Sequence, residues 1–497
     1  MKTFLQNSIL FVLIIVGTIQ VTAQNIVKVK PGWATLNNAI QAEADKGNDI
    51  VSNTIFELKR GGEYLLNGSV RNDGFSLNIR AEDGEGERPK LIPAVAAGGE
   101  SERAFRPRGD LNIKGLFVTN RDELGGMNLR IIRCSADSIT IRVDDCVLDY
   151  DNQSAFRLDN DNISVFLTNS IISNIGLPSD ANNGRGIDDR GNDIDSLVIE
   201  NCTFYNITSR ILRDGGGIIN YCKINHNHFI NIGQRLLTFG EVIEAEYTNN
   251  LAFNAGFVGD APGTDYELLE IDTLKKDLTD QGIVQTVKIN NNNYFLNSEI
   301  SDIYPDSVSI TSIYNETAQK YADAQGSENT QLNEEVNFIN GAVIPTDIVA
   351  KYWSDRANTP NWDNTGAPYD FKYEDTSQSY TYSSAQQPLG ALTWFGMDII
   401  TGAEIIIMNE PANSLSFKTF PNPASKTINF SFKLEEEDNI KIDIYNMMGQ
   451  KITTVTNNYF SVGSHTISYN LNDIVPGIYV SEIKTKNSIN TKTIIIK

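Results

Sequence analysis

The stretch that decides the fold reads ITIRVDDCVLD (139–149), ISVFLTNSIISN (163–174), LVIENCTFYN (197–206) and KINHNHFIN (223–231). Each segment alternates apolar and polar residues, passes through Asn or Asp, reaches a further apolar residue and ends on Asn or Asp. The same unit is visible upstream in LNIKGLFVTN (111–120) and downstream in EAEYTNNLAFNA (244–255) and VKINNNNYFLN (287–297). Aligned on its last apolar residue, the unit predicts a column of Val118, Val147, Ile172, Phe204, Phe229, Phe253 and Phe295. Two positions further on stand Asn120, Asp149, Asn174, Asn206, Asn231, Ala255 and Asn297. Most steps are 24 to 32 residues and the last is 42.

A period near 25 made of short strands, without helical periodicity, points to a parallel β-helix. One coil cannot bury its own apolar face, so coils stack at the strand spacing of about 4.8 Å. The apolar column becomes an interior stack. The Asn column sits where the chain bends, because a side-chain amide can bond its counterpart on the next coil and tolerates left-handed backbone. The expected class is all-β: a right-handed parallel β-helix followed by a small C-terminal antiparallel β-sandwich.

Working outward, WATLNNAIQA (33–42) has apolar residues at helical spacing and is expected to cap the open end of the stack. Phe56 to Tyr64 reads as the first strand and turn. Residues 299–380, rich in Asp, Asn, Ser and Tyr, read as irregular loops along the side of the helix. At the N-terminus, Lys2, the apolar run Ile9 to Val16 and the small residues around Val21-Thr22-Ala23 read as a signal peptide cleaved before Gln24. No later run approaches 18 apolar residues, so no transmembrane span is expected in the mature chain. The expected divisions are a signal peptide at 1–23, the β-helix domain at 24–398, a linker at 399–415 and the C-terminal module at 416–497.

Of the 497 residues, 40% are apolar and 21% charged, which excludes wholesale disorder and collagen-like chains. The net charge of −22 argues against nucleic acid as a partner. The last 82 residues differ, with nine Lys against seven Asp and Glu. Four cysteines (Cys134, Cys146, Cys202, Cys222) allow three full pairings or buried free thiols. None has metal-ligand spacing, and with three histidines in the chain a common zinc site is not expected.

The C-terminal module opens on Phe420-Pro421-Asn422-Pro423-Ala424. It continues through the strand and turn Ile442-Asp443-Ile444-Tyr445-Asn446-Met447-Met448-Gly449-Gln450 and the segment Val475-Pro476-Gly477-Ile478-Tyr479-Val480. It ends on the strand Thr493-Ile494-Ile495-Ile496-Lys497. These four elements, in order, resemble the type A C-terminal sorting domain of the type IX secretion system of Gram-negative bacteria. The resemblance implies the outer-membrane secretion machinery as partner. The destination is the outer surface or the medium, with the module removed or used for attachment. Residues 25–300 resemble pectin-lyase-like proteins, notably the chondroitinase-B-like branch of exported β-helices. AQQPLGALTWFG (385–396) resembles the closing segment of an uncharacterised domain attached to such helices.

Three arginines repeat with the coils at 25-residue steps: Arg185, Arg210 and Arg235, in GRGI, SRIL and QRLL. Stacked at coil spacing, such charges require intervening anions. Asp188, Asp189, Asp214 and Glu241 are internal candidates. The carboxylates or sulfates of an acidic polysaccharide are the external one, with Arg157 as a further contact. β-Elimination of a uronic acid needs a group to neutralise the carboxylate and a base for the C5 proton. Arg210 or Arg213 fits the first role, and Lys223 or His226 the second. His226 and His228, two apart, fit equally into the bend stack. The lyase resemblance implies a lysine and an arginine on adjacent coils beside a calcium. The corresponding segment, EVIEAEYTN (241–249), keeps acids but has no lysine after them. Asp159, Asp161, Asp188 and Asp189 are candidate calcium ligands in acidic turns. The alternative to a polysaccharide-binding or polysaccharide-cleaving protein is a non-catalytic surface or adhesive protein whose helix only presents loops.

Overall fold

The structure is a computed structural model. It describes residues 25–497 apart from 181–182, 265, 325–330, 363–365, 400–416, 421–423, 425, 435, 447–450, 473, 476, 487–488 and 497. The expected signal peptide, and the expected linker beyond residue 399, lie outside the described residues. From Asn25 to Leu332 the described strands form three all-parallel sheets of ten, eleven and seven strands. Seven consecutive coils, from Leu111 to Tyr314, give one strand to each sheet, and the three coils before them give strands to the first two sheets only. Ile194–Glu200, Thr203–Ile207 and Arg210–Arg213 make one coil; Ile218–Asn225, His228–Ile232 and Arg235–Phe239 make the next. They pair in register across all three sheets. This is the parallel β-helix that the period predicts.

The interior stack differs from the predicted column at three coils. In the second sheet the registers run Val118↔Leu148↔Ile172↔Phe204↔Phe229↔Ala252↔Tyr294. Leu148, Ala252 and Tyr294 therefore replace Val147, Phe253 and Phe295. Neighbouring strand residues face opposite sides, so an error of one position turns a side chain outward. Phe253 and Phe295 are apolar because another part of the chain covers the outside of that sheet. The predicted bend column is likewise adjusted. Asn174, Asn206, Asn231 and Asn254 have φ of 55°, 57°, 55° and 57°. Their amides form a ladder: Asn174 donates to Asp149 (2.8 Å), Asn206 to Asn174 (3.1 Å), Asn231 to Asn206 and Asn254 to Asn231 (both 3.2 Å). Asn254 thus takes the place given to Ala255, and Asn120 bonds Asp151 instead. A second ladder, Asn227 to Asn250 to Asn292, is fully buried at the corner between the first and second sheets.

At the N-terminal end, helix Thr35–Ala44 buries Leu36 and Ile40 over the first coil. Trp33, expected in that helix, lies in the preceding short strand and is 60% exposed. Residues 299–380 are more ordered than irregular loops. Helix Glu316–Ala324 inserts Ala318 and Ala322 into the coil core at the far end. Helix Thr346–Ser354 buries Ile348 and Val349 in a side cluster with Phe257 and Trp362. Strands Phe338–Asn340 and Asp370–Tyr373 pair antiparallel. Val336, Tyr369, Phe371, Tyr373 and Leu389 cover the outer side chains Tyr205, Ile230 and Phe253 of the second sheet. The described residues of 331–396 thus form a strap over that sheet.

The C-terminal module has two antiparallel sheets. One contains Phe417–Phe420, Thr427–Leu434 and Gly463–Asn470; the other contains Asp438–Asn446, Lys451–Phe460, Gly477–Lys484 and Ile489–Ile496. Ile428, Phe430, Ile442, Ile444, Ile483 and Ile494 share one core between them, as a β-sandwich requires.

Candidate functional site

The third sheet repeats a four-residue pattern, polar–apolar–apolar–polar: RAFR (103–106), RIIR (130–133), SAFR (154–157), RGID (185–188), RILR (210–213) and RLLT (235–238). The middle pairs, such as Ile131/Ile132, Ile211/Leu212 and Leu236/Leu237, are fully buried, so the flanking residues point out of the coil. One outer column contains Ser154↔Arg185↔Arg210↔Arg235. The other contains Arg133↔Arg157↔Asp188↔Arg213↔Thr238↔Glu270. Arg103, Arg106 and Arg130 extend the pattern onto earlier coils through the Phe105↔Ile132 bridge. Nine of the chain's 18 arginines therefore lie on one face of a strongly acidic protein. The sequence reading used Arg157, Arg185, Arg210, Arg213 and Arg235 and missed the four earlier ones. Their signal was the Arg-x-x-Arg spacing with an apolar pair between.

The face is only partly self-neutralised. Asp159 receives Arg133 at 2.5 Å and Arg157 at 2.6 Å. Fully buried Asp188 bridges Arg185 (3.1 Å) and Arg213 (3.0 Å). Arg235 pairs with Glu270 and lies 4.0 Å above the Tyr266 ring. Among the described residues, Arg103, Arg106, Arg130 and Arg210 have no carboxylate within ion-pair distance. Arg130 donates instead to the Gln153 amide oxygen and Arg106 to the Ser135 hydroxyl. Arg210 makes only long bonds, to Ser209 (3.4 Å), Thr238 (3.3 Å) and Gln234 (3.5 Å). Burial, then the charges of Arg235 and Arg185, pull its pKa down to about 10. It stays a cation at neutral pH, held between two others. Such a group is stabilised by an incoming anion.

The other residues singled out from sequence do not converge on this face. Lys223 lies on the first sheet, buried and paired with Glu200 at 2.7 Å. His226 and His228, 2% and 0% exposed, are the seat of the strap. His226 Nδ1 meets the Gly390 carbonyl at 3.2 Å, and His228 Nδ1 accepts the Ala391 N–H at 2.8 Å. Burial lowers their pKa values to about 4 and about 3, so both rings are neutral. Leu392 N–H reaches Asn201 at 2.6 Å and the Trp394 indole reaches Thr203 at 2.8 Å, which fixes AQQPLGALTWFG against the coil. Of the acidic candidates, Asp159 and Asp188 are held by arginines. Asp161 accepts the Asp193 N–H, and Asp189 is buried under a glycine turn. Among the described residues, no group of three or more His, Cys, Asp or Glu is arranged to hold a metal ion. All four cysteines are buried free thiols, and burial raises the pKa of each, Cys146 to about 12.

Residues 418–497 match the family described as the secretion system C-terminal sorting domain. This defines an exported protein, directed by the type IX machinery to the outer cell surface or the medium. Among the described residues no helix is long and apolar enough to cross a membrane. No curated protein and no solved structure matches the chain.

Proposed function

We propose that the protein is a secreted β-helix that binds an acidic polysaccharide along the arginine face. The observation that carries this reading is Arg210, a half-buried guanidinium between Arg185 and Arg235 with no carboxylate partner among the described residues. Anionic groups repeating along a glycan match cations repeating at coil spacing, and guanidinium grips carboxylate or sulfate in bidentate fashion. An acidic body with one basic stripe directs a polyanion to that stripe alone. Binding is favoured over β-elimination because Lys223 and His226, the bases named from sequence, face other partners. A surface protein holding glycan without cleaving it therefore fits better than a lyase, and no calcium is assigned. The division into a signal peptide at 1–23, a β-helix domain at 24–398 and a sorting module at 416–497 belongs to the same proposal.

The test is binding of the purified protein to alginate, polygalacturonate and chondroitin sulfate, with ultraviolet detection of unsaturated products. The expected result is salt-sensitive binding to one of them, weakened at least tenfold by Arg210→Ala, without product. Binding unchanged in Arg210→Ala, or absent across the panel, overturns the reading in favour of an adhesive or structural role. Product formation restores the lyase.

A further inference from the structure

Behind the arginine face, the third sheet's corner with the first sheet carries an inward column. Following the registers one residue past Arg133↔Arg157↔Asp188↔Arg213↔Thr238 gives Cys134, Leu158, Asp189, Asp214 and Phe239, and Phe239 pairs with Ile271. Cys134, Leu158, Phe239 and Ile271 are fully buried. Two adjacent aspartates thus occupy consecutive steps of an otherwise apolar stack.

Each aspartate has one satisfied oxygen and one that is not. Asp189 Oδ1 accepts the N–H groups of Gly191 (3.1 Å) and Gly215 (2.7 Å); Asp214 Oδ1 accepts those of Gly216 (2.6 Å) and Gly217 (3.1 Å). Both Oδ2 atoms are buried and receive no donor. Glycine is required around them: a Cβ on Gly240 would lie 1.7 Å from Asp214 Oδ2, and one on Gly215 would lie 2.5 Å from the Gly191 nitrogen. Asp189 is fully buried and Asp214 half-buried, and two ionised carboxylates on adjacent coils with both Oδ2 atoms cut off from water repel each other. A calcium ion would need six or more oxygens, and no third metal-binding side chain joins the pair among the described residues.

We infer that Asp189 and Asp214 share one bound proton, one carboxylic acid donating to its neighbour's carboxylate, and that this pair is a proton-binding site built into the coil. The surrounding charges favour the proton. Glu241, one coil on, and Asp272, two coils on, add negative charge near Asp214, while Lys275 is committed to Glu241. Arg213 turns away to Asp188, and Asp193 accepts the Ile218 N–H. Arg190, next to Asp189 in the turn, is exposed. Burial, then Asp214, pushes the Asp189 carboxyl up to about 8. An acid whose folded pKa is raised gives stability that is complete below its unfolded value and lost as pH rises to the folded value. The window is therefore about pH 4 to about pH 8.

The experiment compares the full chain with Asp214→Asn, which keeps the shape and supplies its own N–H donor. The wild-type Tm is expected to fall between about pH 4 and pH 8 and then level off. Asp214→Asn should flatten that slope and raise Tm by about 2 °C or more at pH 8.5. The wild-type minus variant infrared difference at pH 6 should contain a neutral carboxyl band that vanishes at high pH. Asp189→Asn should behave alike, and serves if Asp214→Asn does not fold. The inference is overturned if the band is absent, or if both variants lose Tm equally at every pH. It is also overturned if calcium raises and EDTA lowers the wild-type Tm but not the variants'. None of these readouts depends on glycan binding.

Discussion

The second and third sheets are built from the same coils yet treat their outer faces in opposite ways. On the second sheet, Tyr205, Ile230 and Phe253 are covered by the strap, with aromatic contacts such as Tyr205–Phe371 at 5.6 Å and Phe253–Phe338 at 5.2 Å. On the third sheet the outer positions are arginines, and four of these nine have no carboxylate at ion-pair distance among the described residues. One face is finished within the chain; on the other, cations stand without carboxylates among the described residues. An apolar face reaches its free-energy minimum by local burial, whereas a row of cations remains frustrated until anions arrive.

The sharpest way to break the contrast is to remove the strap's anchor. Phe371 is fully buried among Tyr205, Phe338 and Trp394, so Phe371→Ala should cost about 3–5 kcal/mol of local stability. Limited proteolysis should then cut within 331–396 while anion binding at the arginine face persists. Simultaneous loss of both would show the two faces to be one cooperative unit. A smaller effect is expected from the bend ladder. Asn231→Ala leaves Asn254 without its acceptor and puts Ala at positive φ, a loss of about 1–3 kcal/mol measured by denaturant unfolding.

Arg210→Ala should separate the faces from the other direction. Losing a charge-assisted contact of about 1.5–3 kcal/mol weakens glycan binding roughly tenfold or more. Stability should be unchanged or slightly higher, because repulsion from Arg185 and Arg235 is relieved. A clear fall in Tm would mean that Arg210 is structural. The gentlest test is acid. His226 and His228 have folded pKa values below the ordinary imidazole value, so they contribute stability that is present at neutral pH and above. It is lost as pH falls from about 6.5 toward about 4. Hydrogen exchange at Gly390 and Ala391 should quicken at pH 4.5 before the third sheet changes.

The same contrast explains how much could be read in advance. The coil period, the Asn bends and the 25-residue arginine steps were legible because a β-helix makes sequence neighbours at one period into spatial neighbours. The choice of Phe253 and Phe295 for the interior failed because a strand buried on both faces loses its alternation. The strap that buries the second face lies about a hundred residues away in sequence. His226 and Lys223 looked like bases for a related reason: their partners Gly390 and Glu200 are neighbours only after folding.

The sequence by itself determined the repeat, the export module at 418–497 and the spacing of the arginine row, since each depends on short-range pattern. Only the tertiary structure decided which outer face is covered and which cations find carboxylates. It also decided that Asp189 and Asp214 stand on consecutive coils with a buried, donorless oxygen each. Those outcomes depend on which distant side chains share a dry environment. Burial and charge act there through space, and sequence separation carries no information about either.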